Sequence, residues 1–185
     1  MSLRTHKAVG RLRRRDAYVA IRGAIATCIA RWGFRIVHVS IQAHHIHLLV
    51  EANGKCELAN GLRAFMISAA KRLNKLCGRK GVVFTQRYHA VAIVAKRQAR
   101  AALAYVLNNW RRHREDLVGT AQRQASVDPY STGVLFDGWD MPFEKFEYPA
   151  WYEPMSVYAP RSWLLTIGWR AHPRIGVREV PGPIA

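Results

Sequence analysis

The chain has 185 residues, 50% of them hydrophobic and 10% aromatic, with 29 Lys and Arg against 12 Asp and Glu and a formal charge of +17. That size and apolar content support one buried core with an extension and exclude a disordered chain. No run approaches the roughly 18 apolar residues of a membrane span, the arginine-rich start lacks a signal peptide's apolar centre, and Cys28, Cys56 and Cys77, without metal-type spacing, read as buried thiols in a reducing cytoplasm.

In chain order, Leu3, Thr5, Lys7 and Val9 suggest a short first strand with an abrupt start, as if a few preceding residues were absent. Asp16 to Trp32 predicts a helix, because Ile21, Ile25, Cys28, Ile29 and Trp32 recur at helical spacing and Gly33 stops it. Arg35 to Ala43 alternates Val37, Val39 and Ile41 with His38, Ser40 and Gln42, the pattern of a half-buried strand. His45 to Glu51 alternates again, and a tight connection near Ala43 and His44 makes the two strands a hairpin. A second helix spans Glu57 to Leu76, with Leu58, Leu62, Phe65, Met66, Ala69, Leu73 and Leu76 as its apolar stripe. Val82 to Val94 is rich in strand formers but interrupted by Gln86, Arg87, Tyr88 and His89; a third helix then covers Lys96 to Arg114.

The order βαββαβα predicts an α+β fold, a ferredoxin-like sandwich on an antiparallel sheet, with the first two helices on one face and the other face available for a site. This domain is expected over residues 1–116. Residues 117–185 form an irregular extension that concentrates the prolines and holds four of the six tryptophans, with a short helix over Ser162 to Arg170.

Charge is unevenly spread. Lys71 to Arg114 carries twelve basic residues and no acidic one, and Arg11, Arg13, Arg14 and Arg15 form a second cluster. Asp128 to Pro160 reverses the sign, with six acidic residues against Lys145. A basic body of this kind is the footprint of a polyanion binder, since contacts to phosphates release condensed counterions. Nucleic acid is the expected partner. The acidic arm is expected to fold back on the basic domain and limit DNA access.

Two features carry chemistry. His45 and His47, two apart on a strand, point to the same side while Ile46 enters the core, so two imidazoles stand a pleat apart as a divalent-ion pair. The spacing alone also describes surface histidines on an open sheet. Tyr105 lies roughly 140° around the third helix from the direction of Leu103, Val106, Leu107 and Trp110. It is therefore either an exposed tyrosine, one covered by the arm, or a functional one. Asn109 and Arg112 fall near its side one and two turns later.

Together, His45-Ile46-His47, the 81–89 stretch with Arg87-Tyr88-His89, and Tyr105-Val106-Leu107-Asn108-Asn109 resemble the REP-associated tyrosine transposases, a group of the single-tyrosine HUH transposases of bacterial insertion sequences. The resemblance covers about residues 3–113. It implies that His45, His47 and the Asn109 amide oxygen hold a divalent ion, Mg²⁺ or Mn²⁺, and that Tyr105 is the nucleophile. It further implies nicking and strand transfer of single-stranded DNA beside hairpins of REP-like or element-end type, through a 5′-phosphotyrosine. Two departures stand out: His44 occupies the place of the family's usual asparagine, and Trp110 the place where many members have proline. A tyrosine hydroxyl titrates near about 10 in water, so it needs an assisting field or base at neutral pH.

Arg87, Tyr88, Arg97, Arg100, Arg111 and Arg112 are the candidate DNA contacts, the arginines for the backbone and Tyr88 for stacking on a base or for packing at a strand end. A cytoplasmic, nucleoid-associated monomer or homodimer, with no membrane partner, follows. The alternative is a catalytically inactive or host-adopted nucleic-acid-binding protein of the same fold. A histidine-based hydrolase of small phosphate esters leaves the basic stretch and Tyr105 without a purpose.

Overall fold

The computed structural model describes residues 1–28, 33–85, 88–119, 123, 125–140 and 150–182. Its regular elements are β1 (Ser2–Arg4), α1 (Arg15–Ala26), β2 (Phe34–Ile41), β3 (His45–Ala52), α2 (Lys55–Leu76) and α3 (Lys96–Arg112). The fold is α+β, as the residue pattern predicts. The sheet runs in the order β1-β3-β2, and both pairings are antiparallel. β3 is thus inserted between the two strands that α1 connects, the arrangement of a split βαβ unit.

The ends of β1 and α1 differ from expectation. β1 is only three residues long, because Lys7–Val9 turns into a 3₁₀ helix whose first turn is capped by the His6 imidazole accepting from the Ala8 N–H. α1 ends at Ala26; Ile29 and Trp32, expected within it, lie outside the described residues. The fourth strand is reduced to two antiparallel bridges onto β1, Thr5 with Phe84 and Ser2 with His89. Three residue steps along β1 face five along the other segment, so a continuous ladder cannot run between them.

Strand alternation sends Leu3, Val39, Ile41, Ile46 and Leu48 to one face, where they bury against Ile21 and Ile25 of α1 and Leu62, Phe65 and Leu73 of α2. Gly61 belongs to this contact: a Cβ there would stand 2.1 Å from the Phe34 ring. The opposite face is not left open. α3 and the C-terminal arm close over Leu49 in a second cluster that includes Leu103, Leu107, Phe136, Trp139 and Trp169. α3 is buried on nearly all sides, which explains why a single apolar stripe describes it poorly.

The arm also covers the outer edge of β2. The Ile41 N–H donates to the Tyr130 carbonyl, the Val39 N–H to Thr132 Oγ1, and the Tyr158 N–H to the Ile36 carbonyl. An unpaired sheet edge is a template for unwanted association, and these bonds satisfy it. None of the three cysteines forms a disulfide among the described residues: Cys28 is buried, Cys56 is exposed, and Cys77, at the end of α2, is partly buried against the core. Among the described residues no helix is long and apolar enough to cross a membrane.

Thr132 also meets His38, whose Nδ1 lies 3.0 Å from its Oγ1. Burial pushes the His38 pKa down to about 4, with the charge of Asp137 opposing. The unfolded chain binds this proton near pH 6.5 and the folded one does not, so stability falls as pH drops from about 6.5 to 4. The expected loss is on the order of 2 to 3 kcal/mol. Urea unfolding across that range should show a flatter dependence in His38→Gln; an unchanged dependence would remove His38 as its source.

Candidate active site

β3 supplies the two histidines in the predicted orientation. His47 pairs across the sheet with Ser2 and Ser40, and His45 with Arg4, while Ile46 points into the helical layer. The two imidazoles are nearly parallel, at 18°, with ring centroids 6.1 Å apart. His47 is buried and its Nε2 has no hydrogen-bond partner. Its pKa is pushed down to about 3, first by burial and then by His45, the chain's amino terminus and His113. His45 is lowered as well, by burial and by Arg4, His113 and His44. Both rings are therefore neutral near pH 7, the state in which imidazole ligates a metal.

α3 crosses this face and brings Tyr105 to the histidines. The Tyr105 ring meets His47 edge-on, centroids 5.3 Å apart and planes at 88°. The side of α3 that avoids the apolar stripe is thus the side that meets His47. Arg112, two turns on, holds its guanidinium 5.9 Å from the Tyr105 ring centre. Asn109, one turn after Tyr105, is fully buried, and neither atom of its amide has a hydrogen-bond partner. Its neighbour Asn108 donates to the Gly176 carbonyl. A buried primary amide without partners is costly in a folded protein, and such a group points to a missing partner.

His47, Tyr105 and Arg112 line one end of a cavity of about 1000 Å³. Neither His45 nor Asn109 lines it. Among the described residues no three His, Cys, Asp or Glu side chains converge as a metal site. The candidate donors are therefore two imidazoles and an amide, not a carboxylate cluster. His113, which sequence reasoning passed over, lies near enough to both histidines to depress them; it caps α3 immediately after Arg112.

The candidate DNA contacts divide by how far the arm engages them. Arg97 is exposed on the first turn of α3. Arg100 binds both Glu179 carboxylate oxygens and the carbonyls of Pro173 and Arg174. Arg111 binds Asp116 and the carbonyls of Val177 and Ser126. Arg112 is exposed but donates to the Pro181 carbonyl. Tyr88 is half-buried against the helical layer, and Arg87 lies outside the described residues. The basic stretch read from the sequence is thus partly structural, because Glu179, near the end of the arm, binds Arg100 directly.

At the far end of the cavity a group unmarked in the sequence ties the arm to the sheet. The Glu51 carboxylate accepts the backbone N–H groups of Arg161 and Ser162 and the Arg35 Nε. Burial works against its charge, but these donors hold its pKa below the ordinary value.

A family model described as "Transposase IS200 like" matches residues 7–109, a span that includes His45, His47, Tyr105 and Asn109. No curated protein and no solved structure matches the chain.

Proposed function

The chain belongs to the IS200-like transposase family, and from that premise we propose that it nicks and rejoins single-stranded DNA beside hairpins through a 5′-phosphotyrosine, as a transposase of the REP-associated kind. The observation that carries this reading is the edge-on contact of Tyr105 with His47, a candidate nucleophile against a candidate ligand.

The Tyr105 hydroxyl attacks the scissile phosphorus in line with the leaving 3′ oxygen. A bond forms between the tyrosine oxygen and phosphorus while the bond from phosphorus to O3′ breaks. The proton lost by the tyrosine balances the one gained by the 3′-OH. The linkage keeps the diester's energy, so a second 3′-OH can attack it and release Tyr105. Arg112, beside the ring, favours the developing phenolate and the phosphate charge. His45 and His47 stay neutral and with the Asn109 amide would hold a divalent ion. Their fit rests on the unpartnered His47 Nε2 and on the unpartnered Asn109 amide. When bound, Mg²⁺ or Mn²⁺ neutralises phosphate charge and orients the bond for displacement. Both candidate parts come from one chain, so the reading requires no second copy.

The test incubates the protein with labelled hairpin-bearing single strands from around its own gene, with Mg²⁺ or Mn²⁺, followed by denaturing electrophoresis. A covalent protein–DNA band is expected, lost with EDTA and reduced at least about 100-fold in His47→Ala. A band that persists in EDTA would reject the metal. DNA binding without any band, across several hairpins and both ions, would favour the inactive binding protein.

A further inference from the structure

Tyr105 and His47 occupy one end of a cleft whose other walls come from elsewhere. β3 forms its floor, the 90–93 segment one side, and the C-terminal arm the other, through Arg161, Ser162, Leu164 and Leu165. The arm wall is fixed: Glu51, on the strand that carries His47, holds the backbone N–H groups of Arg161 and Ser162. Glu51 is the only carboxylate lining the cleft among the described residues, and it is engaged by those donors. Arg35, Lys55, Arg112 and Arg161 leave the lining positive. An apolar cleft with a positive lining fits nucleobases on a phosphate backbone.

Trp163 lies between Ser162 and Leu164, both of which line the cleft, but is itself outside the lining; it opens the single helical turn Trp163–Thr166. It is a large aromatic with 52% of its surface exposed. Gly168 seats the ring, since a Cβ there would come within 2.7 Å of it. The Lys96 ammonium lies 5.4 Å from the ring centre, and Arg97, the next residue of α3, is exposed. Lys96 opens α3 nine residues before Tyr105, about 14 Å along the axis and half a turn around it. An exposed indole with a cation against its ring, next in sequence to residues that line the cleft holding Tyr105, has the parts of a single-strand stacking platform.

We propose that the C-terminal arm is part of the strand-binding surface, and that Trp163 stacks on a base of single-stranded DNA running through the cleft to Tyr105. This rests on the single-strand reading above. It gives the arm a role opposite to the access-limiting one that its acidic charge suggests. The stacked base lies over the exposed part of the indole and leaves the Lys96 ammonium beside its phosphate.

Fluorescence anisotropy of a short labelled oligothymidylate tests it, with melting of each full-length variant measured in parallel. Trp163→Ala and Trp163→Leu should bind about 5- to 100-fold more weakly, and Trp163→Phe within about 3-fold of the wild type. Because stacking is not ionic, Trp163→Leu should keep the wild-type salt dependence, whereas Lys96→Ala should flatten its slope by about 0.7. Wild-type affinity in folded Trp163→Ala and Trp163→Leu overturns the stacking role, as does equal weakening in Trp163→Phe. If the wild type itself fails to bind oligothymidylate and forms no covalent band with hairpin strands, the single-strand reading falls with it. A wild-type covalent band together with unaltered variants sinks the stacking role alone.

Discussion

Tyr105→Phe should lower covalent attachment to hairpin-bearing single strands by at least about 10³-fold, the scale seen when a lone nucleophile is removed. The substitution deletes one oxygen and keeps the ring, so the edge-on contact with His47 and the packing of α3 persist. DNA affinity should stay within about 3-fold, since a nucleophile contributes mainly to the transition state. The measurement pairs band intensity on denaturing gels with anisotropy on the same oligonucleotide. Attachment that survives in the variant would assign the nucleophile elsewhere, and a joint loss of binding and attachment would make Tyr105 a binding residue.

Arg13→Ala should destabilise the protein by about 3–5 kcal/mol, the cost of breaking a buried ion pair by removing one partner. The Arg13 side chain is 4% exposed and the Asp128 side chain 0%. Its two terminal nitrogens bind both Asp128 oxygens at 2.8 and 2.9 Å, and one of them also donates to the Ile41 carbonyl. The Tyr130 ring packs 4.6 Å from the guanidinium carbon. Truncation leaves the Asp128 carboxylate buried without its counter-ion, and it loosens the arm where the arm covers β2. Denaturant unfolding without DNA measures the effect; the half-exposed Arg14→Ala, as control, should change stability by less than about 0.5 kcal/mol. A loss below about 1 kcal/mol for Arg13→Ala would place its pair among surface salt bridges.

Arg13 shows where sequence reading stops. In the run Arg11 to Arg15 it is indistinguishable from its neighbours, and all four read as a footprint for phosphates. Only the arm's return brings Asp128 to it. The same holds for Arg100 and Glu179, 79 positions apart. Glu51 reads as the end of a strand and is in fact the anchor of residues 161 and 162. The cavity it borders has no local signal, because its walls meet from six separate stretches of the chain.

What the sequence by itself determined is local or periodic. The two-residue period of β3 sets His45 and His47 on one side and Ile46 on the other, and the 3.6-residue period of α3 sets Tyr105 off the apolar stripe. The order of the helices and the antiparallel hairpin follow from those periods, while the fourth strand expected within Val82 to Val94 is reduced to two bridges onto β1. Tertiary structure alone decided which side chains meet. It brought the Tyr105 ring to His47, buried the Asn109 amide without partners, and bonded Arg100, Arg111 and Arg112, three of the five expected DNA-facing arginines, to the arm. The reason is physical: periodicity fixes the direction of a side chain from its own element, but a contact depends on a second element whose approach is set by the packing of the whole core.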